Sequence, residues 1–114
     1  MIRKLTEREC RDAMEKGAFE PIEGTGALIL TQSWCPQWKA MKNYLPDAEK
    51  AGTDVTILYI EYDTEAFFDK FMEFKENTYQ NREIPYVRYF QKGVFSAESN
   101  YVSLQGFLHR LNLA

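Results

Sequence analysis

Short apolar runs punctuate the chain, and polar residues or glycines bound each of them. The segments 27–31 and 55–60 are continuous apolar stretches, a pattern that predicts strands buried on both faces of a sheet. Residues 86–90 form a third such segment, and a turn at 91–93 returns the chain into a second hairpin strand over 94–98. The pattern therefore predicts at least four strands, of which the last two are antiparallel.

Other segments carry the end signals of helices. Thr6 and Glu9 have the spacing of a capping box, which predicts a helix over residues 7–16 that stops at the following glycine. A second helix is predicted over residues 36–50, because this segment opens with a proline. The N–H groups of a first helical turn have no partner within the helix, so a proline there loses no hydrogen bond. Pro46 lies inside this segment and is expected to kink it.

Two more helices are predicted from apolar stripes at helical spacing, which indicate a face that packs on the core. Asp63 or Thr64 is expected to cap the first of these helices, and the second is expected to begin near Ser103. The stripes are Phe67, Phe68, Phe71, Met72 and Phe74 in the first helix, and Leu104, Phe107, Leu108 and Leu111 in the second. The predicted order is α, β, α, β, α, β, β, α, and a further first strand either lies at 18–22 or is missing.

Strands that alternate with helices imply parallel pairing, and the late hairpin adds an antiparallel edge. We therefore predict an α/β fold with a mixed central sheet of four or five strands, flanked by about four helices. The chain has 114 residues, of which 45% are hydrophobic, and this is enough for one core. We expect a single domain over residues 1–114.

Charge and composition exclude several classes of partner. The formal net charge is −3, and the basic residues are scattered among the acids, so we expect no nucleic-acid binding. The sequence contains no secretory signal and no apolar segment of membrane-spanning length, which predicts a cytoplasmic protein without membrane contact. Two cysteines and one histidine do not make a structural zinc site. The acids at 61, 63, 65 and 69 are expected to form a solvated face, so no metal or cofactor is predicted.

Three local motifs carry the chemical information. Residues 34–39 spell Trp-Cys-Pro-Gln-Trp-Lys between a predicted buried strand and a helix, Ile84-Pro85 precedes a strand, and Phe-Gln-Lys-Gly fills the hairpin turn. In order and spacing these motifs resemble the thioredoxin superfamily over residues 26–111. The resemblance implies a thioredoxin-like fold in which Pro85 is a cis-proline that faces Cys35. An ordinary trans turn is the alternative for this proline.

The chain departs from the family pattern at three positions. Trp38 stands where the second active-site cysteine would be, and Ile29 stands where the family has a buried acid that assists proton transfer. Pro46 also lies farther from the cysteine than the usual helix proline. These departures are compatible with the fold but remove ordinary dithiol chemistry, which indicates an atypical monothiol member. The Cys-Gly-Phe-Ser motif of iron–sulfur monothiol glutaredoxins is absent.

Cys35 is the candidate nucleophile. At a helix N-terminus the unpaired N–H groups and the helix dipole favour the reactive thiolate, and Lys39 adds a positive charge one turn along. A thiolate can attack a disulfide and form a mixed disulfide. Because Trp38 has no nucleophile, release requires an external thiol such as glutathione, or Cys10 if it lies within reach. His109 is either a general base for the thiol or, as we expect, a solvated residue near a helix C-terminus.

The surroundings of the nucleophile are predicted to bind substrate. The backbone beside the proline would pair with an extended substrate as one more strand. Trp38 is expected either to pack in the core or to join Trp34 in a flat apolar surface. The predicted catalytic residues are Cys35 and Lys39, and the predicted substrate-binding residues are Trp34, Pro36, Trp38, Ile84, Pro85 and Tyr86.

Two functions are consistent with these residues. The first is a monothiol thiol–disulfide oxidoreductase whose partners are protein thiols or disulfides, with glutathione as a candidate external thiol. The second is a non-catalytic protein-binding module on the same fold, in which Trp34, Trp38 and Tyr86 hold a partner and Cys35 is an inert thiol. The two hypotheses differ in the ionisation that they expect for the cysteine.

Overall fold

The computed structural model describes residues 1–114 and contains a five-stranded sheet and four α-helices. The four α-helices lack the combination of length and apolar character that a bilayer span requires. In chain order the elements are β1 (Ile2–Lys4), α1 (Glu7–Lys16), β2 (Gly26–Thr31), α2 (Pro36–Lys50), β3 (Thr56–Glu61), a 3₁₀ turn (Tyr62–Thr64), α3 (Phe68–Tyr79), β4 (Tyr86–Gln91), β5 (Val94–Ser99) and α4 (Leu104–Arg110).

The strand order in the sheet is β1-β3-β2-β4-β5. β3 pairs in parallel with β1 and β2, whereas β4 pairs antiparallel with β2 and β5. Central β2 is buried along its whole length, as its apolar sequence predicts. Leu30 lies opposite Ile60 on one side and Tyr86 on the other. This register brings the ends of β2 and β3 and the start of β4 to the same end of the sheet.

Alternate residues of β2 face opposite layers of helices. Ala27 and Ile29 face α2 and α4, whereas Leu28 and Leu30 face α1 and α3. The first core also contains Cys35, Trp38, Met41, Leu45, Ala48, Val55, Ile57, Val87, Tyr89, Phe107 and Leu111. The second also contains Leu5, Cys10, Ile22, Ile60, Tyr62, Phe67, Phe71, Tyr86 and Phe90. The two cysteines therefore lie on opposite sides of the sheet.

The predicted end signals of three helices are confirmed. The Thr6 hydroxyl accepts a hydrogen bond from Glu9 N at 3.1 Å, and Glu9 Oε1 accepts one from Thr6 N at 2.9 Å, which completes the capping box of α1. Gly17 ends this helix with a φ of 87°. Pro36 opens α2, and Ser103 caps α4. The first N–H and the last C=O groups of a helix have no partner within it. Each of these end residues either hydrogen-bonds such a group or, like proline, lacks the unpaired N–H, so residues near the helix ends determine these bounds.

The prediction for a first strand is wrong in both of its alternatives. A fifth strand exists, but it is β1 at the start of the chain, and residues 18–22 form no strand. Three residues are too few to show a period of two. β1 is defined instead by its parallel pairing with β3, which continues in the bond from Leu5 N to Tyr59 O at 2.7 Å.

The cap predicted for the third helix is also wrong. Asp63 and Thr64 lie in the 3₁₀ turn, and α3 begins only at Phe68. Phe67 occupies the N-cap position without a side-chain hydrogen bond. The Asp63 carboxylate instead accepts hydrogen bonds from Ser33, so it serves the loop before α2.

Candidate active site

Cys35 lies at the junction of β2 and α2. It occupies the N-cap position of α2 with an extended backbone, and Lys39 N donates to its carbonyl oxygen at 3.0 Å. The residue is 5% exposed and packs with the core beneath α2. Its Sγ lies 3.9 Å from the carbonyl oxygen of Ile84, to which the thiol donates a weak hydrogen bond. The thiol therefore sits at the positive end of a 15-residue helix, with one backbone carbonyl facing it.

Two sets of hydrogen bonds fix the loop that leads into α2. The Asp63 carboxylate accepts bonds from Ser33 N and Ser33 Oγ, each at 2.7 Å. Gln32 Oε1 accepts a bond from Trp34 Nε1 at 2.7 Å, while Gln32 Nε2 donates to Tyr62 OH at 3.4 Å. The loop is thereby tied to the turn that follows β3. Trp34 is 60% exposed, so its ring stands at the surface beside the thiol in a defined orientation.

The segment that faces the thiol is the loop before β4. The Ile84–Pro85 peptide bond is cis, and Pro85 is buried. The carbonyl oxygen of Pro85 accepts a hydrogen bond from Asn100 Nδ2 at 3.0 Å. Ile84 is half-buried and packs against both cores, at the end of the sheet where they meet. The loop therefore presents the Ile84 carbonyl to Cys35.

Trp38 lies in the first turn of α2, and its side chain is fully buried in the core under this helix. Its Nε1 donates to Glu61 Oε2 at 2.7 Å, and its ring lies 5.4 Å from that of Tyr59. Lys42 Nζ lies 3.6 Å from the same carboxylate oxygen and 5.9 Å from the centroid of the indole ring. The core position expected for Trp38 as one alternative is confirmed. Its predicted role in an apolar surface with Trp34 is wrong, because this position faces inward on α2.

Tyr86 is also buried, on the side of the sheet opposite Cys35. Its hydroxyl donates to Glu98 Oε1 at 2.7 Å and accepts from Arg88 Nη1 at 3.0 Å, and burial raises its pKa to about 12. The prediction that this side chain contacts substrate is therefore wrong. Of the three aromatic residues that were expected to form a binding surface, only Trp34 is exposed.

The other candidate residues lie at different depths. Pro36 and Lys39 are exposed in the first turn of α2, so their predicted roles remain predictions. His109 is exposed in the last turn of α4, the solvated position that we expected. Ile29 is fully buried in the core that also contains Cys35. An apolar side chain therefore occupies the position at which the sequence resemblance implies a buried acid.

Cys10 is not within reach of the site, because the sheet lies between it and Cys35. Burial, reinforced by the nearby carboxylates of Glu65 and Glu9, raises the pKa of the Cys10 thiol to about 12. This thiol therefore stays protonated near neutral pH, as well as inaccessible. Cys10 therefore cannot act as a resolving thiol for Cys35 in this fold.

The polar residues that support the site were not among the site residues predicted from the sequence. Glu61 is the last residue of β3, Asp63 follows that strand, and Gln32 follows β2. β2 and β3 are parallel neighbours in the sheet. The carboxyl ends of parallel strands meet at one edge of a sheet. The position of these three residues at the strand ends could therefore have predicted that they lie near the site. The expectation that the acids at 61 and 63 belong to a solvated face is wrong, because both carboxylates accept hydrogen bonds from the active-site segment.

Comparison with known proteins shows which solved structures have a similar fold. No family model and no curated protein matches the chain. Thioredoxin O1 from Arabidopsis thaliana, in the oxidized state, matches it with a TM-score of 0.66 at 16% identity, over 96% of each chain. Thioredoxin O2 from the same plant matches with a TM-score of 0.65 at 19% identity, over 96% of this chain and 93% of the other. Reduced thioredoxin pre-protein from Schistosoma mansoni matches with a TM-score of 0.66 at 11% identity, over 97% and 95%.

At sequence identities this low the matches show a shared fold and nothing finer, but they extend over nearly the whole of both chains. The five-stranded mixed sheet and the four helices also confirm the predicted α/β class. A cysteine followed by proline stands at the start of α2, as the sequence motif implies. The chain therefore adopts the fold of the thioredoxin-like superfamily.

Proposed function

We propose that this protein catalyses thiol–disulfide exchange through Cys35 alone. The Cys35 thiolate attacks one sulfur of a substrate disulfide, a bond forms between them, and the other sulfur leaves as a thiolate. An external thiol of the glutathione class then attacks the mixed disulfide, gives up its proton and releases Cys35. With a glutathionylated protein as substrate, the two steps yield the free protein thiol and one molecule of glutathione disulfide.

The observation that carries this proposal is the place of the Cys35 sulfur. It lies at the N-terminus of α2, where the helix dipole favours an anion, and 3.9 Å from the Ile84 carbonyl oxygen. When the thiol loses its proton it no longer donates to that oxygen. The carbonyl is then free to accept an N–H from the backbone of an extended substrate, in the manner of an added strand. Ionisation of the nucleophile and substrate pairing are therefore mutually compatible.

The neighbouring residues favour a polypeptide substrate. Trp34 offers an exposed ring whose orientation is held by Gln32, and Pro36 and Lys39 lie exposed in the adjoining turn. A rigid aromatic surface loses little conformational entropy on binding a peptide. The proposed partners are accordingly protein thiols or disulfides, bound beside Cys35 in an extended conformation.

A non-catalytic binding module is the second candidate, and the exposure of Trp34 favours it. Large aromatic residues are enriched among the side chains that dominate protein interfaces. In this case Trp34 anchors a partner, and Cys35 is a small core residue that stays protonated. The two candidates therefore share a binding surface and differ in the chemistry of the thiol.

The rate of iodoacetamide alkylation against pH separates the two candidates. The measurement uses a Cys10→Ala background, since alanine suits that buried apolar position, and Cys35→Ser in the same background as the unlabelled control. Catalysis predicts a midpoint well below the ~8.5 of a free thiol, and a glutathione adduct that free glutathione removes. A midpoint at or above that value, or the absence of labelling, would overturn the catalytic proposal and leave the binding module.

A further inference from the structure

Lys75 is the one fully buried lysine of the chain, and no carboxylate forms an ion pair with it. It projects from α3, and its Nζ donates to the backbone carbonyl of Glu83 at 2.5 Å and to Asn81 Oδ1 at 3.2 Å. The same nitrogen lies 5.6 Å from the centroid of the Tyr86 ring. Asn81 and Glu83 belong to the segment that leads into β4, and Tyr86 is the first residue of that strand.

A buried lysine at this position destabilises the fold unless its ammonium group makes compensating hydrogen bonds. Removing an ammonium group from water carries a large desolvation penalty, which a methionine of similar length would not incur. Burial lowers the pKa of Lys75 to about 8, while Glu76 and Glu83 act in the opposite direction. Most molecules therefore carry the ammonium near neutral pH, and a charged donor makes stronger hydrogen bonds than a neutral one.

The hydrogen bonds of Lys75 hold one side of Ile84, and those of Asn100 hold the other. Lys75 binds the carbonyl of Glu83, the residue before Ile84, and Asn100 Nδ2 binds the carbonyl of Pro85, the residue after it, at 3.0 Å. The two peptide units that flank the Ile84–Pro85 bond are thereby fixed. The carbonyl of Ile84, which lies between them, is the one that faces the active-site sulfur.

Asn81 joins the two donors into one unit. Its Oδ1 accepts hydrogen bonds from Lys75 Nζ at 3.2 Å, from Asn100 Nδ2 at 3.1 Å and from Glu83 N at 3.0 Å. The three side chains Lys75, Asn81 and Asn100 form what we call the loop clamp. Because its members come from α3, from the loop itself and from the segment after β5, the clamp ties the loop to both flanking elements.

We propose that Lys75, acting through the loop clamp, positions the Ile84 carbonyl opposite Cys35 and so makes the site selective for extended polypeptides over small disulfides. The inference rests on the proposed function, because the Ile84 carbonyl affects the reaction only when a substrate backbone pairs with it. A small disulfide such as bis(2-hydroxyethyl) disulfide has no amide N–H to donate. Its reaction depends on Cys35 and is indifferent to the orientation of the loop.

Amide hydrogen exchange tests the clamp without any assay of activity. Lys75→Met removes the donors and keeps the length of the side chain. We expect the Glu83 amide to exchange about 10-fold faster, since the loss of a charged donor weakens the bonds that hold the loop. Phe71→Leu is the control, because it weakens the same helix at a buried position that makes none of the clamp's hydrogen bonds. A Glu83 amide that changes no more than in the control overturns the proposal.

Exchange rates with two disulfides test the consequence. In the Cys10→Ala background we would measure mixed-disulfide formation with a linear peptide disulfide and with bis(2-hydroxyethyl) disulfide. Lys75→Met should lower the ratio of the peptide rate to the small-disulfide rate about 10-fold, as expected for a misplaced binding group, whereas Phe71→Leu should leave it unchanged. An unchanged ratio in Lys75→Met overturns the selectivity.

A second variant keeps both tests open if Lys75→Met fails to fold. Asn100→Ala removes the donor to the Pro85 carbonyl at a half-buried position, and the proposal predicts the same fall in the ratio. Failure of the proposed function gives a different result: the parent protein then reacts with neither disulfide. In that case the exchange of the Glu83 amide still decides whether the clamp exists.

Discussion

Replacing the two tryptophans one at a time tests the division of the site into a buried support and an exposed surface. Trp38→Ala removes a fully buried side chain that carries a hydrogen bond to Glu61, and Trp34→Ala removes one that is 60% exposed. The chain contains no other tryptophan, so each variant serves as the matched control of the other. We expect a large loss of stability from the first and a small loss from the second.

The magnitude for Trp38→Ala has two sources. A buried tryptophan removes about 150–250 Å² from water, which at about 25 cal/mol per Å² corresponds to roughly 4–6 kcal/mol, and core substitutions of this kind cost about 3–5 kcal/mol. The Glu61 carboxylate also loses its indole donor, although it keeps Lys42 at 3.6 Å. We expect the free energy of unfolding to fall by about 4 kcal/mol, against less than about 1 kcal/mol for Trp34→Ala.

Trp38→Phe separates these two sources. It keeps most of the buried ring but removes the N–H that donates to Glu61 at 2.7 Å. Hydrogen bonds to charged groups contribute about 1.5–3 kcal/mol, and the Glu61 side chain is 20% exposed, so we expect the lower end of this range. Trp38→Phe should therefore lie between the other two variants in stability.

Urea unfolding followed by far-ultraviolet circular dichroism measures all three variants with one probe that does not depend on tryptophan. The slope of the unfolding free energy against urea should stay constant, so that midpoints compare stabilities directly. Equal losses for Trp34→Ala and Trp38→Ala would refute the assignment of Trp38 to the core. A loss in Trp38→Phe as large as in Trp38→Ala would show that the hydrogen bond, and not the packing, dominates.

Three other predictions concern separate parts of the fold. Because Cys10 is fully buried, we expect mass spectrometry to find one iodoacetamide adduct per native chain and two after guanidinium unfolding; two native adducts would contradict its burial. Asp63→Ala removes two acceptors and should cost about 2 kcal/mol in urea unfolding, whereas Ser33→Ala removes one bond and should cost about 1 kcal/mol; equal costs would contradict the paired geometry. Hydrogen bonds from Arg3 lower the pKa of Glu9 from 4.5 to about 2, so this ion pair stabilises the fold above pH 4.5 and its contribution is lost as the pH falls toward 2. Both side chains are more than a third exposed, so Arg3→Met should remove a small, salt-screened part of the acid dependence of the unfolding midpoint, and an unchanged dependence would contradict the coupling.

The elements that the sequence predicts well are those whose signals are local. The capping box of Thr6 and Glu9, the proline that opens α2 and the serine that caps α4 each act within a few residues of the helix end. The strands β2 and β4 are apolar enough to be found from composition alone. β1 escapes such an analysis because its three residues are defined only by their pairing with a strand more than fifty residues away.

The environment of Trp38 could have been predicted more fully. Trp38, Met41, Leu45 and Ala48 are all buried and recur at the spacing of one helical face, so the period of α2 places the tryptophan in the core. The motif comparison drew attention to the missing cysteine instead. Its partner Glu61 lies 23 residues away, and such a contact follows from the sheet register and not from any local pattern.

In the candidate site, too, some features follow from local motifs and others depend on contacts between distant residues. The candidate nucleophile and the facing loop follow from motifs at residues 35 and 84–85, because the family resemblance specifies both. The side chains that orient them are particular to this chain: Asp63 binds a loop 30 residues earlier, and Asn100 binds Pro85. Such supports depend on which residues the topology brings together, so a single sequence does not reveal them.

The position of the two cysteines on opposite sides of the sheet determines how this chain can hold an oxidising equivalent. A dithiol protein stores two electrons' worth of oxidation within itself, as an internal disulfide that changes its mass by two hydrogens. Bridging requires the two Cα atoms to lie within about 7 Å, and here a sheet intervenes. A disulfide at either cysteine therefore has to be formed with a second molecule. Such oxidation would be detected as the mass of a covalent adduct, and its reversal would require a thiol from another molecule.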